Sequence, residues 1–94
     1  MSTFRDICEA RSLPHTSDDS WGGDITGAAC DHLGATVRPN LFEGCSWVNE
    51  ISDESHYDPK NPIRVRDGHV PLPIGPGLGL EVDEAMFGAP IAEF

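Results

Sequence analysis

The chain has 94 residues, enough for one small domain, but only 38% are hydrophobic and ten glycines and eight prolines interrupt the apolar pattern, so any core is thin. Sixteen acidic against six basic side chains leave a formal charge of −10, which repels nucleic-acid phosphates and anionic lipid headgroups and argues against both as partners. No run approaches the ~20 apolar residues of a membrane span, and Arg5, Asp6 and Glu9 break the layout of a signal peptide, so a cytoplasmic location is expected.

In chain order, STFRDICEAR (2–11) predicts a short helix that Ser2 or Thr3 can cap, with Phe4, Ile7 and Cys8 on one face. Such a short helix is marginal in isolation and must lean on something. SLPHTS (12–17) is the first strand candidate, although Pro14 removes a ladder donor. SDDSWGG is turn chemistry. Asp24 is then expected as the N-cap of a second helix over 24–36, whose stripe would be Ile25, Ala28, Ala29, His32 and Leu33. NLFEGCSWV (40–48) reads as a second strand and its exit. Strand, helix, strand is the order of a right-handed βαβ unit with parallel strands, which are normally covered on both faces, so partner strands must come from elsewhere. Residues 49–62 read as a polar loop. IRVRDGHVPLP carries a hairpin signal at Asp67-Gly68, with Ile63 and Val65 before the turn and Val70 and Leu72 after it. A glycine-rich segment then leads to one helical turn near 83–87.

The three cysteines, Cys8, Cys30 and Cys45, are odd in number and sit in apolar context, which suits buried free thiols in a reducing compartment. The histidines at 15, 32, 56 and 69 show neither an i, i+4 pair nor grouping with cysteine, so each reads as structural rather than as a zinc ligand. A cysteine and histidine distant in sequence can still meet in space, which leaves a nucleophilic pair open. GPGLG (75–79) lacks the long following helix of a phosphate loop, and Pro76 removes an amide; it reads as a connection passing close to another backbone. Asp18, Asp19 and Asp24 suit turns and caps better than a calcium loop, which would need a closing Glu, yet an aspartate ending a barrel strand stands where catalytic groups sit. Glu43, inside an apolar strand between Phe42 and Gly44, either faces a polar cavity, as in an active site, or is an exposed strand-end carboxylate.

The run RDICEARSLPHTSDDSWGGDITGAACDHLGATVRPNLFE, followed by DGHVPLPIGPGLGLEVDE, resembles the C-terminal part of the mandelate racemase and muconate lactonizing enzyme branch of the enolase superfamily. The resemblance implies an α/β chain contributing part of a (β/α)-barrel: helix six at 2–11, strand seven at 12–18, helix seven at 24–36 and strand eight at 40–44. Residues 1–48 would be the barrel segment and 49–94 a hairpin-containing tail that packs on the family's capping domain. In the family a magnesium ion stabilises an enediolate formed when a base takes the proton α to a substrate carboxylate. Glu43 is similar to the strand-eight carboxylate that donates a hydrogen bond to the substrate carboxylate. Asp18 falls near the strand-seven position that is a histidine in mandelate racemase, so the pattern looks closer to cycloisomerases, epimerases and hydroxyproline dehydratases with lysine bases on other strands. The metal-binding carboxylates and both lysines fall outside this chain, which is therefore not expected to bind Mg2+ in the family's way. The expected substrate of the parent is a small hydroxy or amino acid, and the chain alone is expected to be inactive. The competing readings are a free-standing acidic interaction module and one half of a split enzyme.

Overall fold

In a computed structural model, the described residues are 2–18, 22–46 and 56–92. Their order is α1 (Ser2–Ala10), β1 (His15–Asp18), α2 (Gly23–Gly34), β2 (Phe42–Ser46) and a final 3₁₀ turn, Glu84–Phe87. Asp19, residues 49–55 of the loop expected over 49–62, and the distal end of the second strand candidate lie outside the described residues. The two strands pair in parallel, as the βαβ order requires. This small α/β unit agrees with a piece of a (β/α)-barrel.

Both strands start later than the sequence suggests, β1 for a local reason. α1 closes with a left-handed Ser12 (φ 52°), Ser12 N–H donating to Glu9 O and Leu13 N–H donating to Cys8 O at 2.9 Å, a Schellman-type stop. Pro14 then has no amide to donate, and pairing begins only at His15, whose N–H reaches Leu41 O at 3.0 Å. α1 is held to the α2–β2 connection by polar contacts: Glu9 accepts from both the backbone N–H and Nε of Arg38, and Arg5 donates to Thr36 Oγ1. Of its expected apolar face only Cys8 is buried; Phe4 and Ile7 remain more than half exposed.

α2 corrects two expectations. Its N-cap is Gly22, without a side-chain cap bond, and Asp24 lies inside the first turn. A side chain on Gly22 would collide with Thr26, so the helix start demands glycine there. The buried stripe also differs: Asp24, Gly27, Ala28, Asp31 and Gly34 face inward, whereas Ile25, His32 and Leu33 are only half-buried and Ala29 is exposed. Small residues are needed on that stripe because a Cβ on Gly34 would come within 3.0 Å of the Phe42 ring and 3.2 Å of Cys45 Sγ. Apolarity alone picks the wrong side because two of the inward residues are carboxylates, Asp24 and Asp31, whose partners come from other segments. The core is thin, comprising Cys8, Ala28, Cys30, Val37, Leu41 and Ile63.

The tail folds back on α2. His32 Nε2–H donates to Leu78 O at 3.2 Å, and His56 meets Asp24 at the other end of the helix. The hairpin forms as a single antiparallel rung: Arg66 and His69 exchange backbone bonds of 2.8 and 2.9 Å around left-handed Asp67 and Gly68 (φ 50° and 74°). The glycine-rich connection does pass close to backbone, since a Cβ on Gly79 (φ 76°) would stand 2.8 Å from Pro73 C. Asp83 caps the 3₁₀ turn, accepting from Ala85 N–H.

Candidate functional site

The sheet has two chemically different faces. Toward α2 point Ser17, whose hydroxyl donates to Cys30 O at 2.9 Å, and Phe42 and Cys45, which pack on Gly34. Side chains alternate along a strand, so Thr16 and Asp18 point the other way. On β2 the alternation is broken. His15 pairs with Phe42 but Ser17 with Cys45, so β2 carries one extra residue, a bulge at Gly44 (φ 125°). The bulge lets Phe42 and Cys45, three apart, share the helix face and leaves Glu43 on the opposite one. Glu43 and Asp18 therefore project from the same face, and both are exposed.

Their depths differ. Asp18 ends β1 and is in register with Ser46, whereas Glu43 stands near the start of β2, before the bulge. The strand does not stop at Leu-Phe-Glu; its regular run is interrupted there and resumes to Ser46. The end of β1 is fixed from behind, as Cys30 Sγ–H donates to Asp18 O at 3.3 Å.

The helix face carries an open groove of about 370 Å³ lined by Asp31, Phe42, Cys45, His69 and Val70 among others. It does bring a cysteine and a histidine to one place. The chemistry is wrong for a nucleophile, because burial, then the charge and hydrogen bond of Asp31, then Cys30 push the Cys45 thiol up to about 12. All three cysteines are free, Cys8 and Cys30 buried and Cys45 half-buried.

The histidines hold structure. His69 Nδ1 bonds Asp67 O within its turn, His32 reaches the tail, and His15 meets Phe4 edge-on at 5.9 Å. His56 forms a buried pairing that the sequence does not announce: its Nδ1 lies 3.0 and 3.3 Å from the two oxygens of Asp24, 32 positions away. Burial raises the Asp24 pKa against the opposing pull of His56, the Tyr57 amide and Arg64. Among the described residues, no three His, Cys, Asp or Glu side chains gather to hold a metal ion, and no helix is long and apolar enough to cross a membrane.

Residues 1–86 match the family described as enolase C-terminal domain-like. The chain belongs to that family. The superfamily resemblance carried by DDSWGGDI, Leu-Phe-Glu and the Pro-Gly-Leu-Gly tail is thus borne out. A curated relative, cis-3-hydroxy-L-proline dehydratase of Roseibium aggregatum, is 33% identical over 93 residues. That alignment takes in 97% of this chain and 24% of the relative, so this enolase C-terminal domain-like chain spans about a quarter of the protein it matches.

Proposed function

We propose that this chain forms strands seven and eight of a (β/α)-barrel, with α1 and α2 as helices six and seven, in an enzyme that removes the proton α to the carboxylate of a small hydroxy or amino acid. Residues 1–48 serve as the barrel segment, and 49–94 as the tail that extends to the capping domain. The reading rests on one observation: Glu43 and Asp18 share the sheet face turned away from α2, the face that points into the barrel once the ring is closed. Asp18 also stands at the strand's C-terminal end, where barrel enzymes place their chemistry. The dehydratase relative favours elimination of water from a hydroxylated imino acid over racemisation.

In this reading Glu43 shares a hydrogen bond with the substrate carboxylate, and that bond strengthens as charge moves onto the group when the α-proton leaves. Asp18 lines the mouth and accepts from the substrate's polar groups. Magnesium, in the superfamily, supplies positive charge to the enediolate. The described residues offer no cluster that fits the ion, and no step is assigned to it through this chain. The exposed Phe4, Ile7 and Leu13, and a sheet whose described part has only two strands, favour a chain that works within a larger barrel, whether in one polypeptide or as half of a split enzyme, over a free-standing acidic module.

The test combines this chain with a polypeptide supplying the preceding barrel and capping regions, with cis-3-hydroxy-L-proline and Mg2+ present. Turnover is expected only in the combination. Glu43→Ala should then lower kcat/KM by about ten- to a hundredfold, the worth of a hydrogen bond to a charged group, while Glu43→Gln, which still donates, retains more. An alanine variant as active as the parent would remove Glu43 from the reaction.

A further inference from the structure

The largest fully buried side chain among the described residues is a carboxylate, Asp24, for which the proposed reaction has no use. Burying a carboxylate is costly unless it is paired and hydrogen-bonded. Its partners are the His56 ring, at 3.0 Å, and the Tyr57 amide, both from the first described residues of the tail, with Arg64 adding positive potential. The next two residues carry the connection onward. Tyr57 O accepts from Asp83 N–H at 2.8 Å, and its ring lies 5.1 Å from that of Phe87. Asp58, 3% exposed, accepts from Asn61 N–H at 3.0 Å and Glu81 N–H at 3.1 Å. Three consecutive residues thus join α2 to segments 61 and 81–87, and one buried pair anchors them.

We propose that Asp24 and His56 are a charge-dependent latch that seats the described part of the tail, residues 56–92, on the first turn of α2. The chemistry follows from which atoms can donate. Nδ1–H donates to the carboxylate whether the ring is neutral or charged, so acidification keeps the bond and adds an ion pair. Asp24 lies in the first helical turn, where the helix dipole also favours its negative charge. Replacing the carboxylate by an amide keeps the acceptor but removes the charge that an imidazolium needs. The latch then holds at neutral pH and opens in acid, whereas the parent latch holds at both.

The experiment is amide hydrogen exchange on the full chain by NMR at pH 7.5 and 5.5, with rates referred to the intrinsic rate at each pH. The reporters are Asn61, Glu81 and Asp83, whose N–H groups are bonded within the tail. The parent should protect them at both pH values. Asp24→Asn should match the parent at pH 7.5 and lose protection by about tenfold or more at pH 5.5. His56→Ala should lose it at both, with the α2 amides less affected. Reporters exchanging alike in the parent and Asp24→Asn at pH 5.5, or unprotected in the parent, overturn the latch. None of these readouts depends on catalysis, so their failure leaves the role of Glu43 untouched, and a silent Glu43 leaves the latch standing.

Discussion

Cys45 offers a direct measurement of whether the groove beside α2 is reactive. With its pKa pushed from 9.0 up to about 12, its thiolate fraction at about pH 8 falls from roughly one in ten to roughly one in ten thousand. A more basic thiolate attacks faster, with a Brønsted slope of about 0.4–0.5, which returns a factor of roughly 16 to 30. The net expectation is a disulfide-exchange rate about thirty to sixty times slower than that of the same cysteine in the denatured chain, before any further slowing by its half-buried position. The assay is reaction with an aromatic disulfide in buffer and in urea, with peptide mapping to separate Cys45 from the buried Cys8 and Cys30. Asp31→Asn should speed Cys45 without reaching the denatured rate, because burial is the first cause of the shift and Asp31 the second. A raised thiol pKa also stabilises the fold below about pH 9 and withdraws that contribution as pH climbs toward 12. Folded Cys45 reacting within about threefold of the denatured rate would refute this reasoning and reopen the cysteine–histidine nucleophile.

Two further outcomes follow from packing. Gly77 and Gly79 both have left-handed φ, 63° and 76°, but only Gly79 has backbone in the path of a Cβ. Gly77→Ala should cost about 1–2 kcal/mol for its dihedral alone, while Gly79→Ala should cost more and lower Tm by a further several degrees in a thermal melt, at about 4–8 °C per kcal/mol. Phe4, Ile7 and Leu13, at 57%, 55% and 51% exposure, lie beside a sheet with open described edges, so the isolated chain should associate with rising concentration in sedimentation velocity. The double change Phe4→Ser with Ile7→Ser should weaken that association; no effect would place the sticky surface elsewhere.

The element order was legible because it rests on local signals. Periodicity marked α1 and α2, Asp67-Gly68 marked the turn, and the strand–helix–strand spacing implied parallel pairing, all of which the fold contains. Boundaries slipped where a backbone detail intervened, such as the left-handed Ser12 that delays β1 until after Pro14. The inward face of α2 was misread because hydrophobicity cannot announce a buried Asp24 whose partner lies 32 residues away. A hint was present all the same: Gly27, Ala28 and Gly34 are small enough to mark a close-packed side, and Asp24 and Asp31 share it.

The carboxylates sort by what surrounds them, and that sorting bears on function. Asp24, Asp31 and Asp58 are buried, and the partners seen are protein groups: His56 and the Tyr57 amide, the Cys45 thiol, and the Asn61 and Glu81 amides. Their charge is absorbed in holding helix, sheet and tail together. Asp18 and Glu43 differ, standing exposed on a face that a barrel would enclose. Alternation beside Phe42 already sets Glu43 on that face, and the bulge at Gly44 keeps Cys45 from joining it, since regular alternation would draw Cys45 away from α2. One left-handed glycine therefore lets β2 keep both Phe42 and Cys45 against the helix while Glu43 stays on the opposite, exposed face; under the proposed reading that face is the one a closed barrel would shield from water, where a hydrogen bond counts for more.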